Sequence, residues 1–445
     1  VRRRWCNPTE PLLPKQFHLG WFATFGQSAW NDPLGAAPEP WTGELHLDLA
    51  RSIERACFDY LLIEDSLSIP SAFGGSTAAY LKNGLMAPKH DPAPLAAILG
   101  AATSRLGIVV TLSTMAYPPF MLARLASTID HLSRGRFGWN IVTGTEDAAA
   151  RNFGKPGLPP RELRYDMADE YVDLVNKLFE SWEPDAVVRD AASDTYVDAS
   201  KVHPIHFEGR WFQCEGPLNT VRCPQGRPAY IQAGGSPRGR RFAARHADSI
   251  IATVNGIEGM RRYRDDVRRH AVAQGRDPDS IKILFLIAPI VGETMAAAQE
   301  QQQRVLNSPG FTERALALFG SFVEIDFSPY DLDQPLPHLT TNAEQGALDK
   351  FCQPGSGKTL RQLVREGGMS SSLELVGTPD HVAGLMADAI DDVGGDGFLI
   401  TTPYHRLSRH YIASITDGLV PALQRRGRTR TAYRHAMLRE NLLEF

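Results

Sequence analysis

The sequence predicts an α/β chain folded as one (β/α)8 TIM barrel with insertions. Three observations carry that expectation. Eight short apolar or β-branched runs alternate with amphipathic helical segments across nearly all 445 residues. Strands joined in this way by right-handed crossovers lie parallel. No G-x-G-x-x-G follows the first run, which argues against a doubly wound dinucleotide fold.

The eight runs, in order, are 17–24 (FHLGWFAT), 60–65 (YLLIED), 106–113 (LGIVVTLS), 137–143 (FGWNIVT), 229–235 (AYIQAGG), 248–254 (DSIIATV), 281–291 (IKILFLIAPIV) and 397–402 (GFLITT). Helical patterns at 47–57, 94–103, 121–132, 165–180, 237–246, 259–274 and 379–390 separate them. Two stretches break the rhythm and read as insertions in a single domain spanning 1–445. Residues 185–224 include the hairpin-like HFEGRWFQCEGPLN. Residues 292–377, rich in Gln, Pro and Gly, interrupt the chain just before the last strand and are a candidate lid over the catalytic face. The basic segment 423–443 reads as a solvated helical face or an oligomer contact.

Composition narrows the function classes. With 43% hydrophobic and 22% charged residues the chain is an ordinary globular one. The 47 basic and 51 acidic side chains give a net charge of −4, with no pull towards nucleic acid or anionic lipid. No apolar stretch approaches the roughly 20 residues of a membrane span, so the expected compartment is the cytoplasm. The five cysteines are odd in number and form no C-x-x-C pair, which disfavours a disulfide framework; Cys57 reads as inert core within a helix.

Several motifs mislead. Gly355-Ser356-Gly357-Lys358-Thr359 imitates the end of a P-loop, but Cys352 stands where its first glycine belongs and no strand delivers it, so it reads as a turn opening a helix. His203 and His206, or His405 and His410, lack convincing zinc spacing, and no metal is expected. His90 beside Asp91 is equally a cap for the helix opening at Pro92. No G-x-S-x-G elbow marks a serine hydrolase.

The informative motif is Gln232-Ala233-Gly234-Gly235-Ser236-Pro237-Arg238-Gly239, a strand running through glycines into a helix. Backbone N–H groups there can hold a phosphate, with Ser236 adding a hydroxyl donor. A serine N-cap followed by proline is the plainer reading. Asp65, Ser113, Asn140 and Thr143 fall at other strand ends, the face where barrels place their chemistry.

These segments, taken together, resemble the flavin-dependent monooxygenases of the bacterial-luciferase-like superfamily. The nearest group is that of nitrilotriacetate monooxygenase, pristinamycin synthase and dibenzothiophene-sulfone monooxygenase. The resemblance runs end to end through FDYLLIEDS (58–66), LMAPKHDPAPLAA (85–97), TLSTMAYPPFMLAR (111–124), GRFGWNIVTG (135–144), RNFG (151–154), RYDMADEYV (164–172), GPLN (216–219), PQGRPAYIQAGGSPRGRRFAARHAD (224–248), GTPDHVAGLM (377–386), DGFLI (396–400) and LVPALQRRG (419–427). It implies a two-component monooxygenase that takes reduced FMN from a separate NAD(P)H:flavin reductase, forms a flavin hydroperoxide with O2, and inserts one oxygen atom into a small organic substrate.

By the same resemblance Asp65, Ser113, Tyr165, Gly235 and Ser236 bind FMN. Asn140 and Thr143 lie on a strand lining that cavity, and Arg161, where relatives often carry histidine, adds a phosphate contact. Thr143, Thr145 or His18 is the expected hydrogen-bond donor near the reacting oxygen. A homodimer or homotetramer is implied as well. Phe17, Trp21, Phe22, Phe25 and Trp30 suit an apolar, organosulfur or (halo)aromatic substrate. An aminopolycarboxylate would need converging basic residues, of which Arg161 and Arg238 are the visible ones. The same fold also hosts hydride transfer with the deazaflavin F420, as well as non-catalytic flavin binders.

Overall fold

The computed structural model describes residues 14–26, 39–353, 355–366, 371–403 and 407–445. Eight parallel strands close into a barrel: β1 (His18–Thr24), β2 (Tyr60–Glu64), β3 (Gly107–Ser113), β4 (Phe137–Val142), β5 (Ala229–Gln232), β6 (Ser249–Ala252), β7 (Lys282–Ile287) and β8 (Gly397–Ile400). Each pairs with its neighbour in the chain, and β8 closes on β1 through the register His18↔Gly397 to Trp21↔Ile400. All eight apolar runs form these strands because a parallel strand buried on both faces must be apolar throughout.

Strand parity divides two layers of core. Tyr60, Leu62, Val109, Ile231, Leu284 and Leu399 fill the barrel. Trp21, Trp139, Ile141 and Phe398 face outwards against the helices. The basic C-terminal stretch is solvated only in part. Arg425, Arg426 and Arg434 are exposed, whereas Leu438 and Leu442, four apart on the helix Leu438–Leu442, plug the N-terminal opening of the barrel. Glycine makes that room, since a Cβ on Gly107 would stand 2.5 Å from Leu438 Cδ1.

The insertions have structure of their own. The first contains two antiparallel pairs, Val187–Asp190 with Thr195–Val197 and Phe207–Glu208 with Gln213–Cys214; the second pair is the hairpin expected at 206–219. The run 281–291 splits after β7, and Ile290–Val291 pairs with Val376–Gly377, so the chain leaves and rejoins the barrel through one two-stranded stem. Between those strands Phe311, Phe319, Phe327, Phe351 and Leu363 pack into a second core. Thr359 caps the helix Leu360–Arg365 in a reciprocal capping box with Gln362, so the P-loop-like run ends in a helix start. Asp91, not His90, caps the helix Pro92–Ala102.

Cys57 lies beyond the helix Glu44–Arg55 in a left-handed conformation (φ 63°), rather than within it. Cys6, Trp30 and His405 lie outside the described residues. Among the described residues no helix is long and apolar enough to cross a membrane, and no three His, Cys, Asp or Glu side chains converge as a metal site would require.

Candidate functional site

A cavity of about 260 Å³ opens at the C-terminal end of the barrel. Every strand contributes to its floor, through Phe22 (β1), Asp65 just past β2, Ser113 (β3), Asn140 (β4), Ala233 just past β5, Ile251 (β6), Leu286 (β7) and Thr401 just past β8. Phe319, Phe322, Glu344 and Ala347 of the insertion form its roof. The wall is mainly apolar, so the few polar groups in it stand out.

Asn140 is the most telling. Its Nδ2 donates to Thr111 Oγ1 at 2.8 Å, while its buried Oδ1 has no partner. Such an orphan costs about 1–3 kcal/mol unless a ligand satisfies it. Ser66 Oγ, beside Asp65, is likewise buried without a partner. Ser113 Oγ accepts from the Met115 N–H at 3.2 Å and keeps its own proton to give. Burial pushes the Asp65 carboxyl up to about 7, with the Lys89 ammonium opposing. Lys89 is held by Glu64 at 2.7 Å.

The 232–239 segment, expected from the sequence to hold a phosphate, lies next to this cavity, which Ala233 lines. Ser236 caps the helix Pro237–His246, its Oγ accepting from the Gly239 N–H at 3.0 Å, which realises the plain capping reading and leaves the hydroxyl proton free for an anion. Tyr165 abuts the same turn: a Cβ on Gly239 would stand 2.7 Å from its hydroxyl, and Gln232 Nε2 reaches that hydroxyl at 3.4 Å. Arg161, one helical turn before Tyr165, donates its backbone N–H to Asn342 Oδ1 at 3.0 Å and Nη1 to the Ala343 carbonyl at 3.4 Å. Its Nε is buried and unpartnered. Arg238 is committed elsewhere, to Asp166 and Asp169.

Of the predicted site residues, Asp65, Ser113, Asn140 and Thr145 line the cavity, Tyr165, Gly235 and Ser236 belong to or border the adjoining loop, and Arg161 contacts Asn342 and Ala343 of the insertion. Thr143 does not reach it. The alternation that turns Asn140 and Val142 inwards sends Thr143 to the outer layer. His18 is a correction. It opens β1 at the opposite end of the barrel, fully buried, with Nδ1 2.9 Å from Asp59 Oδ1 and Nε2 3.2 Å from the Phe445 carbonyl. Arg430 completes that cluster at 2.8 Å from Asp59. Of the aromatic group, Phe22 lines the cavity, Phe17 and Trp21 are outer core, and Phe25 packs edge-on against His46.

Among the lining residues that sequence reasoning missed, three carry charge and matter for the chemistry: Glu146, Lys155 and Glu344. Glu146 is buried, which raises its pKa, and accepts from Ser68 Oγ. Lys155 Nζ donates to the Met115 carbonyl at 3.3 Å. Glu344 is an exposed residue at the edge of the cavity, and the protein packed around it, reinforced by Glu146, lifts its carboxyl to about 7. Glu146 and Thr145 follow β4 directly and were within reach of strand-end reasoning; nothing local marks Glu344.

The orphaned Asn140 oxygen, the free donors at Arg161 and Ser236, and an apolar slot between them fit a planar heterocycle with a phosphate tail. Comparison with known proteins agrees. The family described as Luciferase-like monooxygenase matches residues 17–397. A dibenzothiophene-sulfone monooxygenase of Rhodococcus erythropolis (strain XP) is 34% identical over 443 residues, covering 96% of each chain. Nitrilotriacetate monooxygenase component A of Aminobacter aminovorans is 33% identical, again over 96% of each. Among solved structures, riboflavin lyase with modified FMN and riboflavin superposes with a TM-score of 0.86 at 33% identity, covering 97% of this chain and 96% of that one.

Proposed function

This chain belongs to the luciferase-like monooxygenase family, and on that premise we propose that it is a reduced-FMN-dependent, two-component monooxygenase acting on a neutral, apolar organosulfur or (halo)aromatic compound. The observation that carries the reading is the unpartnered Asn140 Oδ1 in a cavity floored by all eight strands and roofed by the insertion. When bound, reduced FMN supplies the electrons that activate O2, chemistry that no side chain of this site provides.

The chain's own residues bind, orient and shield. Gly235, Ser236, Tyr165 and Arg161 hold the phosphate through the hydroxyls, the free Nε and the N–H groups of the turn. Asn140, Ser113 and Asp65 hold the ring and its side chain; Asp65 can do so as a neutral donor near pH 7. Thr145, a hydroxyl lining the cavity, is the hydrogen-bond donor assigned to the reacting oxygen. Phe319 and Phe322 in the roof exclude water, which would otherwise divert a reactive intermediate. A separate NAD(P)H:flavin reductase and a homodimeric or homotetrameric assembly are part of the proposal.

The test supplies reduced FMN from a generic NAD(P)H:flavin reductase, a panel of sulfones, sulfides and haloaromatics, and mass spectrometry for a gain of one oxygen. Oxygen uptake that never couples to product would sink the proposal. Turnover without O2 on reduced deazaflavin would replace it with hydride transfer.

A further inference from the structure

The cavity's charge inventory is lopsided. Glu146 from the loop after β4, Glu344 from the insertion and Asp65 from the loop after β2 all line it, and Lys155 is the one cation among the described lining residues. Glu64 also lines it but is neutralised by Lys89 at 2.7 Å. The nearby arginines keep their charge but do not line the cavity: Arg164 donates to the Pro159 and Asn342 carbonyls, both at 3.0 Å, and Arg161 gives Nη1 to Ala343 while its Nε stays free for the proposed phosphate. Elsewhere the wall is Phe22, Met86, Phe153, Leu158, Phe319 and Phe322.

A plainly structural acid would be bonded to its surroundings, as Glu324 is to the Asp147 N–H at 2.8 Å. No such partner faces the Glu344 carboxyl, whose strongest electrostatic neighbour is Glu146. That this space receives a ligand rests on a separate observation, the Asn140 oxygen, which is buried and unpartnered in the same cavity.

We propose that Glu344 and Glu146 form an acidic wall that selects neutral or cationic apolar substrates and rejects carboxylates and sulfonates. The wall spans two elements, so the insertion helps to set specificity as well as to exclude water. An anionic group brought beside two carboxylates at the protein surface, where the effective dielectric constant is about 20, is disfavoured by about tenfold or more. Nitrilotriacetate-like substrates are therefore the wrong class for this site. The inference rests on the monooxygenase reading for the identity of the site as a substrate cavity, but not for its charge selection.

The experiment uses two fluorescent probes of one skeleton, neutral N-phenyl-1-naphthylamine and anionic 8-anilino-1-naphthalenesulfonate, titrated into the full chain without turnover at about pH 8.5, where the carboxyls are ionised. The neutral probe is expected to bind about tenfold or more tighter. Glu344→Gln with Glu146→Gln narrows that ratio about fivefold or more by improving the anionic probe, and Lys155→Met, the opposite change, widens it. Equal affinities, no binding of the neutral probe, or a ratio unmoved by the variants would overturn the proposal. Failure of the monooxygenase reading looks different: no oxygenated product from any substrate, with the probe ratio intact.

Discussion

Gly346 of the insertion rests on Gly235 of the phosphate loop: a Cβ at Gly346 would stand 3.2 Å from both the carbonyl carbon and the carbonyl oxygen of Gly235. The insertion is tied down around this contact by Arg161 to Asn342, Glu324 to the Asp147 N–H, and Asp326 to the Gly74 N–H at 2.9 Å. A branched side chain at 346 has no space to occupy. Gly346→Val is expected to lift the roof at a cost of about 1–3 kcal/mol. The readouts are faster limited proteolysis of residues 292–377 and weaker FMN binding. Unchanged proteolysis and affinity would mean that the contact does not hold the roof.

Removing the orphaned oxygen should separate stability from ligand binding. Asn140→Leu relieves the free protein of an unsatisfied oxygen but also takes the Nδ2 donor from the buried Thr111 Oγ1, so the two effects offset and the melting temperature of the free protein changes little. If Asn140 holds the flavin ring as proposed, the same change weakens FMN binding by about 1–3 kcal/mol. Thermal shift with and without FMN reads both effects, since ligand stabilisation scales with affinity. An equal loss in both forms would show that Asn140 serves packing alone.

The pH dependence of flavin binding follows from two carboxyls near neutrality, Asp65 and Glu344, each raised to about 7 by the protein packed around it. Below that pH both are largely neutral; above it both are charged and face an anionic ligand. FMN affinity should therefore fall as pH rises through 7, by up to about tenfold per unit for each group that must regain its proton. Calorimetry in buffers of different ionisation enthalpy should detect proton uptake on binding. Glu344→Gln removes its share. Affinity that increases with pH would rule the scheme out.

His18 and Asp59 supply a control at the other end of the barrel. Asp59 is buried, and despite burial His18 and Arg430 hold its carboxyl below the usual range. Asp59→Asn leaves the buried Arg430 with Glu444 as its remaining carboxylate and should cost up to about 3–5 kcal/mol in denaturant unfolding. His18→Gln should leave the kcat pH profile of the folded enzyme unchanged. A shifted profile would return His18 to the chemistry.

The eight strands were legible because burial on both faces leaves little freedom in composition: YLLIE and GIVVTLS are short, apolar and bounded by polar or glycine-containing segments, as buried parallel strands are. Position within a strand was also legible but misread, since His18 stands at the start of its run and the reacting end lies beyond Thr24. Other features depend on long-range closure. Glu344 meets Glu146 across about 200 intervening residues, and no local periodicity encodes that. In the tail, abundant arginine masked the buried pair Leu438 and Leu442. Arg430, at 4% side-chain exposure, is buried because Asp59 and Glu444 accompany it.

Lys350 sits in the insertion with its ammonium buried, donating to the Ser371 carbonyl at 2.9 Å and paired with no carboxylate among the described residues. Burial lowers its pKa from 10.5 to about 7. Between those values the unfolded chain holds a proton that the folded one has lost, so stability must rise with pH across the window, by up to about 1.4 kcal/mol per unit. Below 7 both states are protonated and the burial penalty is present in full. Lys350→Met removes the charge while keeping the apolar stem, so it should stabilise the protein at neutral pH by about 2–4 kcal/mol. The advantage should shrink as pH climbs towards 10.5. Urea unfolding of both proteins from pH 6.5 to about 9.5 isolates the effect, because every other titrating group is shared and cancels in the difference. Parallel stability curves would mean that the Lys350 ammonium reaches water in the folded state.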